Sequence, residues 1–228
     1  MANISIIIPC LNEAAEVVAS LQALQGLRDQ GVELILVDGG SSDNTVSLAK
    51  NSVDQLLDSP VGRARQMNLG AKQARGELLV FLHVDCRLPE DAYQLLTKQL
   101  NSGLCWGRFD VSLDGAQAIF RVIETLMNWR SRISQIMTGD QAMFVSKTLF
   151  ERVGGFADIA LMEDISLSQQ LKKQQAAVCL NSKVLSSSRR WQQHGIIRTV
   201  LLMWQLRLAY FFNAKPSVLA KKYRDSRR

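Results

Sequence analysis

The chain has 228 residues, and 47% of them are apolar, which is enough for a sizeable core in one α/β domain. The net charge of +6 is uneven, because residues 189–228 carry ten Lys and Arg and one acidic residue, whereas the first 188 residues have a net charge of −3. We expect neither a signal peptide nor a membrane span, since no apolar run reaches about 20 residues, and we therefore expect a cytoplasmic protein.

Strands and helices are predicted to alternate in the first half of the chain. Continuous apolar runs predict buried strands at 4–8, 33–37 and 77–84. Helical spacing predicts helices at 12–26 and 63–75, and Asp43 or Asn44 is placed to cap a further helix. This rhythm is typical of a parallel sheet wrapped by helices, in which ligands bind beyond the carboxyl ends of the strands.

Polar residues follow each of these three predicted strands. His83 and Asp85 are two residues apart, so in an extended segment their side chains share one face and can reach the same ligand. A carboxylate suits Mg²⁺ or Mn²⁺, and an imidazole is better accepted by Mn²⁺. The alternative for any single carboxylate here is a structural one, in which it caps a helix or holds a loop.

The second half predicts a different arrangement. Strands are expected at 106–113, which alternates like a half-exposed strand, and at 141–145 and 176–185. The predicted helices lie at 119–137, 148–153, 164–173 and 196–212. The apolar stripes of 119–137 and 196–212 favour core packing for at least part of each helix, while their aromatic residues and the basic residues nearby also fit a membrane surface or a dimer interface.

Five segments carry a family resemblance, in the right order and spacing over about residues 3–175. They are "SIIIPCLNE", "LILVDGGSSDNT", "GRARQMNLGAKQARGELLVFLHVD", "GDQAMFVSKTLFERVGGF" and "LMEDISLSQQLKK". Together they resemble family 2 glycosyltransferases of the GT-A fold, and "SRRWQQHG" is similar to small bacterial members described as radical-SAM/selenodomain-associated transferases. The resemblance implies one GT-A domain over 1–228, with a nucleotide-binding half (1–88), an acceptor half (89–190), and a C-terminal amphipathic helix with a basic tail (191–228).

The resemblance also implies a nucleotide pocket. In such enzymes the residue matching Asp38 accepts a hydrogen bond from the base, typically uracil. The sequence departs from the family pattern at His83, which replaces the first acid of the DxD-type motif, and at Gly39, which replaces the second acid of the usual "DDGS". The other residues implied to bind the nucleotide are Pro9, Asn12, Glu13, Gly62, Arg63 and His83.

The implied catalytic machinery combines a divalent metal ion with a general base. The metal ion, Mg²⁺ or Mn²⁺, is expected on Asp85, with His194 as a second candidate ligand. Glu163 and Asp164 match the family's acidic pair, in which the Asp is the base of inverting members, although two acids at a helix start also stabilise the helix dipole. The residues implied to lie near the acceptor are Asp140, Gln141 and Trp191, for which a turn or ordinary packing is the alternative.

These observations predict transfer of a sugar from a nucleotide-diphosphosugar, UDP-linked by analogy, to a hydroxyl acceptor that is lipid-linked in one version of the hypothesis. The alternatives are a nucleotidyltransferase and a sugar-nucleotide-binding protein with a decayed site. No Gly-rich basic loop follows the first strand, which disfavours the nucleotidyltransferase. The basic tail leaves peripheral membrane contact open, the two amphipathic helices leave a homodimer open, and nucleic acid is not an expected partner.

Overall fold

The computed structural model describes residues 3–225, apart from the side chains of Arg190, His194 and Arg224. The strands within this part are Ile4–Cys10 (β1), Glu33–Asp38 (β2), Gln55–Asp58 (β3), Leu78–Phe81 (β4), Cys86–Arg87 (β5), Trp106–Leu113 (β6), Met143–Ser146 (β7) and Val178–Ser186 (β8). The helices are Val17–Asp29 (α1), Thr45–Ala49 (α2), Arg63–Gln73 (α3), Ala92–Asn101 (α4), Ala118–Ser134 (α5), Lys147–Arg152 (α6), Glu163–Leu171 (α7), Arg189–His194 (α8), Ile196–Phe211 (α9) and Pro216–Asp225 (α10), and Gly139–Gln141 forms a 3-10 turn.

The described strands form one sheet in the order β3-β2-β1-β4-β7-β6-β8-β5. The first four of these are mutually parallel, and β7 is antiparallel to both of its neighbours. The expected mostly parallel sheet flanked by helices is therefore confirmed. Since β4 and β7 join the two halves of the chain in one sheet, the structure supports our proposal that the chain forms a single domain.

The central strand β1 supplies side chains to two core layers. Ile6 and Ile8 point to the layer that contains Leu21 of α1, whereas Ile7 points to the layer that contains Met67 of α3. Because successive side chains of a strand point to opposite faces, a strand covered on both faces needs an unbroken apolar run. Helices thus cover both faces of the parallel half, and the polar residues that follow its strands are left at its carboxyl-terminal edge.

Helix α1 differs from its predicted bounds at both ends. It begins at Val17 rather than at residue 12, because Asn12 has a left-handed backbone conformation (φ 56°) and residues 12–14 are bound instead to the loop after β2. It also continues through Gly26, which is not its end. Of the two predicted caps of α2, Asn44 occupies the N-cap position without a side-chain cap bond, whereas the carboxylate of Asp43 accepts the Thr45 N–H at 3.0 Å.

Strand β6 is buried, although its alternating pattern predicts a half-exposed strand. Arg108 is fully buried and forms an ion pair with Asp110, which also accepts a hydrogen bond from Arg132 of α5. Asn128 of α5 bonds the backbone of Val111 in both directions. The polar residues of β6 therefore belong to a buried network rather than to a solvated face, because buried charges require partners.

The last described helix packs on the body of the protein. Helix α10 packs onto α9 and α7, where Leu219 and Tyr223 join Leu206 and Ile165 in one apolar cluster. Part of each of α5 and α9 packs on the core, as expected, through Phe120 and Ile123 of α5 and Leu206 of α9, but most of the two apolar stripes is exposed. All four cysteines are free. Within residues 3–225, none of the helices is both long enough and apolar enough to cross a bilayer.

Glu33 connects the amino ends of the parallel strands. Its carboxylate is 2% exposed and accepts hydrogen bonds from Ser5 Oγ (2.6 Å), Gln55 Nε2 (2.8 Å) and the backbone and side chain of Arg75. Burial acts to raise the pKa of Glu33, but these hydrogen bonds outweigh burial and lower it. The charged form of Glu33 is thus the form that the fold stabilises.

We expect Glu33→Gln to lower the free energy of unfolding at neutral pH by about 1–3 kcal/mol, because an amide leaves part of this network unpaired. The native pKa lies below the unfolded pKa of about 4.3, so the contribution of Glu33 is present above that value and is lost as the pH falls through the native pKa. Urea unfolding at several pH values measures both effects. Glu151→Gln, at an exposed position of α6, is the matched control.

Candidate functional site

Asp38 ends β2 and organises the loop that follows it. Its side chain is 3% exposed, and Oδ2 accepts the N–H groups of Gly40 (2.9 Å) and Ser41 (2.8 Å). The Ser41 hydroxyl donates to Oδ1. The Asp38 carboxylate therefore holds the loop of residues 39–41 in place. The predicted hydrogen bond from Asp38 to the nucleotide base stays a prediction, and it would have to form in addition to these bonds.

The loop after β1 is joined to the loop after β2. Asn12 adopts a left-handed conformation (φ 56°), its backbone N–H donates to Ser41 Oγ, and its Oδ1 accepts the Ser42 N–H, each at 2.8 Å. The N–H of Glu13 donates to Thr45 Oγ1. Pro9 lies buried in β1, two residues before the loop. The structure thus brings the predicted residues Pro9, Asn12 and Glu13 to the same edge as Asp38.

The glycine in place of the second acid has a structural reason. A Cβ at Gly39 would lie 3.0 Å from Nε2 of Gln66, which is closer than ordinary contacts allow. Gln66 of α3 is 3% exposed and donates to the carbonyl groups of Cys10 (2.7 Å) and Val37 (2.9 Å). The amide of Gln66 thereby holds the ends of β1 and β2 together, a role that the sequence analysis missed.

Arg63, at the start of α3 next to Gly62 (φ 141°), points towards the acidic pair. Its guanidinium lies 3.7 Å from the Glu163 carboxylate, and 38% of its side chain is exposed. Burial acts to lower the pKa of Arg63, but nearby anionic groups, above all Glu163, outweigh burial and raise it. Tyr223, Asp164 and Asp85 contribute in the same direction. Arg63 is therefore a fixed positive charge at this edge.

The residues that follow β4 form a cluster of candidate metal ligands. One ligand atom from each of His83, Asp85 and Cys86 lies within 4.8 Å of the others. Burial, with a smaller effect of Asp85, raises the pKa of Cys86 well above its ordinary value in the metal-free chain, and a sulfur ligand suits softer metals than Mn²⁺ or Mg²⁺. The imidazole and carboxylate that remain fit Mn²⁺, and the carboxylate also fits Mg²⁺.

Gly139 joins this cluster to the acidic pair. A Cβ at Gly139 would overlap the Cε1 and Nε2 atoms of His83, so the imidazole packs directly against the Gly139 backbone. The N–H of Gly139 donates to Asp164 Oδ2 at 3.1 Å. One backbone unit thus contacts both the predicted metal-binding motif and the predicted base, and brings them into one site.

The acidic pair begins α7 after Met162, which has a left-handed φ of 72°, uncommon for a residue that is not glycine. Burial raises the pKa of Asp164, although two backbone N–H groups and the guanidinium groups of Arg207 and Arg63 act to lower it. Burial also raises the pKa of Glu163, against the effect of Arg63. A raised carboxyl pKa is what a general base at neutral pH requires.

Substitution of Gly139 by alanine tests this close approach. The added methyl group would displace His83, so we expect Gly139→Ala to lower the free energy of unfolding by about 1–3 kcal/mol and to weaken the binding of Mn²⁺ and nucleotide. Thermal unfolding and calorimetric titration measure the two effects. Gly26→Ala is the control, because a Cβ at that position in α1 meets no atom within 4 Å.

The predicted acceptor residues have different surroundings. Asp140 is partly exposed on the 3-10 turn and accepts a hydrogen bond from Thr138. Gln141 is fully buried and hydrogen-bonded to Thr138 and Ser131. Its side chain therefore stabilises the turn and is not part of a surface that an acceptor could reach. Trp191 packs on the apolar cluster around Phe120. The side chain of His194 lies outside the described residues, so its metal role stays a prediction.

Two residues near the site were missed by the sequence analysis. Nε and one terminal nitrogen of Arg130, on α5, are buried and make no hydrogen bond within the described part of the chain. Burial, with the nearby Arg207, lowers the pKa of Arg130 to about 10, while Asp140 and Asp164 act to raise it. Tyr223 of α10 lies near Arg63. No sequence motif marks either residue, because folding alone brings α5 and α10 to the site.

The sequence model of glycosyl transferase family 2 matches residues 5–156, more than half of the chain. A Haemophilus influenzae protein described as an uncharacterized glycosyltransferase is 32% identical over 108 residues, which cover 44% of this chain and 42% of that protein. A Mycobacterium bovis PGL/p-HBAD biosynthesis glycosyltransferase is 40% identical over 93 residues, 38% of this chain and 36% of that protein. The matches thus span less than half of each of these two relatives.

Solved structures share the fold at low identity. S. aureus TarS in complex with UDP-GlcNAc has a TM-score of 0.65 and 16% identity, covering 82% of this chain and 58% of that chain. The mannosyltransferase PcManGT from Pyrobaculum calidifontis, with GDP-Man and Mn²⁺, has a TM-score of 0.67 and 19% identity, covering 91% and 61%. The Mycobacterium tuberculosis glucosyl-3-phosphoglycerate synthase, with Mn²⁺ and UDP, has a TM-score of 0.61 and 19% identity, covering 80% and 70%. The GT-A fold expected from the sequence is therefore confirmed.

Proposed function

The chain belongs to glycosyl transferase family 2, and from that premise we propose that it transfers a sugar from a nucleotide-diphosphosugar to a hydroxyl acceptor with inversion at the transferred carbon. The observation that carries the proposal is the contact of Gly139 with both His83 and Asp164. It links the donor end of the site to a candidate base. Residues 12–13 and 38–45, in the joined loops after β1 and β2, form the adjoining rim.

The donor proposed for this site is UDP-linked. Solved structures of the same fold hold UDP-GlcNAc or UDP, and one holds GDP-Man, so the base is the least constrained part of the donor. Arg63 is proposed to face the diphosphate, because a fixed guanidinium suits phosphate oxygens. The base is proposed to lie over the loops of Asn12 and Asp38, with Asp38 as an acceptor of its N–H.

A divalent cation is proposed on Asp85 and His83. The carboxylate and imidazole fit Mn²⁺, and the protonated Cys86 would remain outside the ligand set. Bound there, the cation would neutralise negative charge on the leaving diphosphate. Gly139 packs against the Cε1 and Nε2 edge of the His83 imidazole, so the chain itself orients this side chain.

Asp164 is proposed as the general base. Its raised pKa keeps the carboxylate basic enough to take the proton of the acceptor hydroxyl, and the N–H groups of Gly139 and Ile165 hold its orientation. Glu163 is proposed to act through its ion pair with Arg63 rather than as a second base, because it is 4% exposed. The deprotonated acceptor oxygen would then attack the transferred carbon from the face opposite the leaving diphosphate, which is the geometry of inversion.

Arg130 is proposed to contact the acceptor. Its buried nitrogen atoms lack partners in the described residues, and a buried donor without a partner is costly unless a ligand satisfies it. A lipid-linked acceptor fits this position, since Arg130 and Arg207 lie on the helices that carry the exposed apolar stripes. Arg130→Met should then raise KM for the acceptor and leave acceptor-independent hydrolysis of the donor unchanged.

The test is a product assay with the full chain, Mn²⁺ and a panel of UDP- and GDP-sugars. Release of nucleoside diphosphate from one donor supports sugar transfer. Pyrophosphate formed from a nucleoside triphosphate and a sugar phosphate would instead support the nucleotidyltransferase. Nucleotide binding without turnover in either Mg²⁺ or Mn²⁺ would support a binding protein, the alternative that the departures at Gly39 and His83 suggest.

A further inference from the structure

Two helices of the second half present apolar side chains to the outside. Eleven of the eighteen large apolar residues exposed in the described chain lie on α5 or α9 or at Phe212, which follows α9. They recur every three or four residues, so each helix carries one continuous stripe. This apolar face consists of Ile119, Val122, Leu126, Trp129, Ile133, Ile197, Leu201, Trp204, Leu208, Phe211 and Phe212.

The two stripes lie on neighbouring helices. Phe120 and Ile123, on the inner side of α5, belong to the same cluster as Ile196 and Val200 of α9. The inner side of α9 is occupied further along by Leu206, which packs on α7 and α10. The outward stripes are therefore extra to the core, and exposed apolar residues grouped in this way, rather than scattered singly, mark an interaction site.

The charged residues of these two helices are almost all positive. Helix α9 contains no acidic residue, and the single acid of α5, Glu124, is buried and paired with Arg121. A groove of about 640 Å³ runs beside the stripe of α9, between Arg198 and Lys222. Residues 189–228 as a whole have a net charge of +9.

We propose that the apolar face of α5 and α9 docks on an anionic lipid bilayer. Two tryptophans on the face, Trp129 (64% exposed) and Trp204 (70% exposed), suit the boundary between acyl chains and headgroups. The surrounding cations attract anionic headgroups. A second copy fits less well, because a symmetric contact would bring two strongly basic C-terminal regions together.

The test is flotation of the full chain with vesicles of phosphatidylcholine alone or mixed with phosphatidylglycerol. We expect the wild type to float with the anionic vesicles and much less with the neutral ones. The double variant Trp204→Glu/Leu208→Glu should lower partitioning into the vesicles by roughly tenfold or more. Each change removes apolar area that docking would bury in the bilayer and adds a negative charge that anionic headgroups repel. Trp129→Ser on α5 should weaken binding without adding charge.

Val18→Glu is the matched control, since Val18 is 49% exposed on α1 and lies outside the apolar face. Thermal unfolding of each variant checks its fold independently of any sugar transfer. Three results would overturn the proposal. The first is no flotation of the wild type with anionic vesicles. The second is undiminished flotation of both stripe variants. The third is a wild type that does not bind vesicles and forms a lipid-free dimer, which the double variant converts to a monomer.

Discussion

Asp164→Asn is expected to lower the turnover number of sugar transfer by about 10²- to 10⁴-fold, the usual contribution of a positioned general base. The amide keeps the size of the side chain and can still accept the Gly139 N–H, so donor affinity should change little. Steady-state kinetics and calorimetric titration of the nucleotide separate these two quantities. Asp158→Asn is the control, because Asp158 is an exposed carboxylate paired with Arg65.

The pH profile gives a second measurement of the same residue. Burial raises the pKa of Asp164, so the base is protonated, and activity is lost, at a pH above the ordinary aspartate value of about 3.9. Arg207 acts in the opposite sense, and Arg207→Gln should therefore move the acid limb of the profile to higher pH. An acid limb that Arg207→Gln leaves in place, or normal turnover in Asp164→Asn, would remove Asp164 from the base role.

Asp85→Asn is expected to lower turnover by about 10²- to 10³-fold and to abolish the dependence of nucleotide binding on metal. Asp85 is the only carboxylate of the described His83, Asp85 and Cys86 cluster, so an amide leaves no anionic ligand there. Thermal shifts with UDP and GDP, each with and without Mn²⁺, measure the coupling, since ligands of the native state raise its stability.

Asp29→Asn, on the exposed side of α1, serves as the control for a lost negative charge. The wild-type measurement is itself decisive. Equal nucleotide shifts with and without Mn²⁺ and Mg²⁺ in the wild type would mean that the chain binds its donor without metal. The altered first position of the motif, His83, would then be explained by packing against Gly139 rather than by ligation.

The parallel half of the fold could be predicted from sequence because its strands are covered on both faces. Continuous apolar runs such as 4–8 and 33–37 leave little choice of structure, and the polar residues that follow them mark the edge where the site lies. Asp85 and Asp164 could be proposed from motif order alone. Their connection through Gly139 could not, because it depends on the packing of a turn 56 residues beyond His83.

The second half was less predictable because there polarity and burial disagree. Arg108 and Asp110 read as exposed positions, yet they are buried in mutual ion pairs. The stripe around Trp204 reads as core, yet it is exposed. Periodicity reports that one side of a helix differs from the other, and it does not report which side faces the protein. Gln66 and Arg130 are equally hard to recognise from sequence. The role of Gln66 depends on backbone carbonyl groups that only folding brings next to it, and that of Arg130 depends on the burial of its guanidinium nitrogen atoms.

Helices α5 and α9 carry Arg130 and Arg207 towards Asp164 on one side and the tryptophan-bearing stripes on the other. A helix with its side chains is only about 10 Å across. A chain docked through those stripes would hold Asp164, the proposed general base, roughly one helix width above the headgroups. The reach of the acceptor is then short, which favours a hydroxyl close to a lipid anchor over the far end of a long glycan.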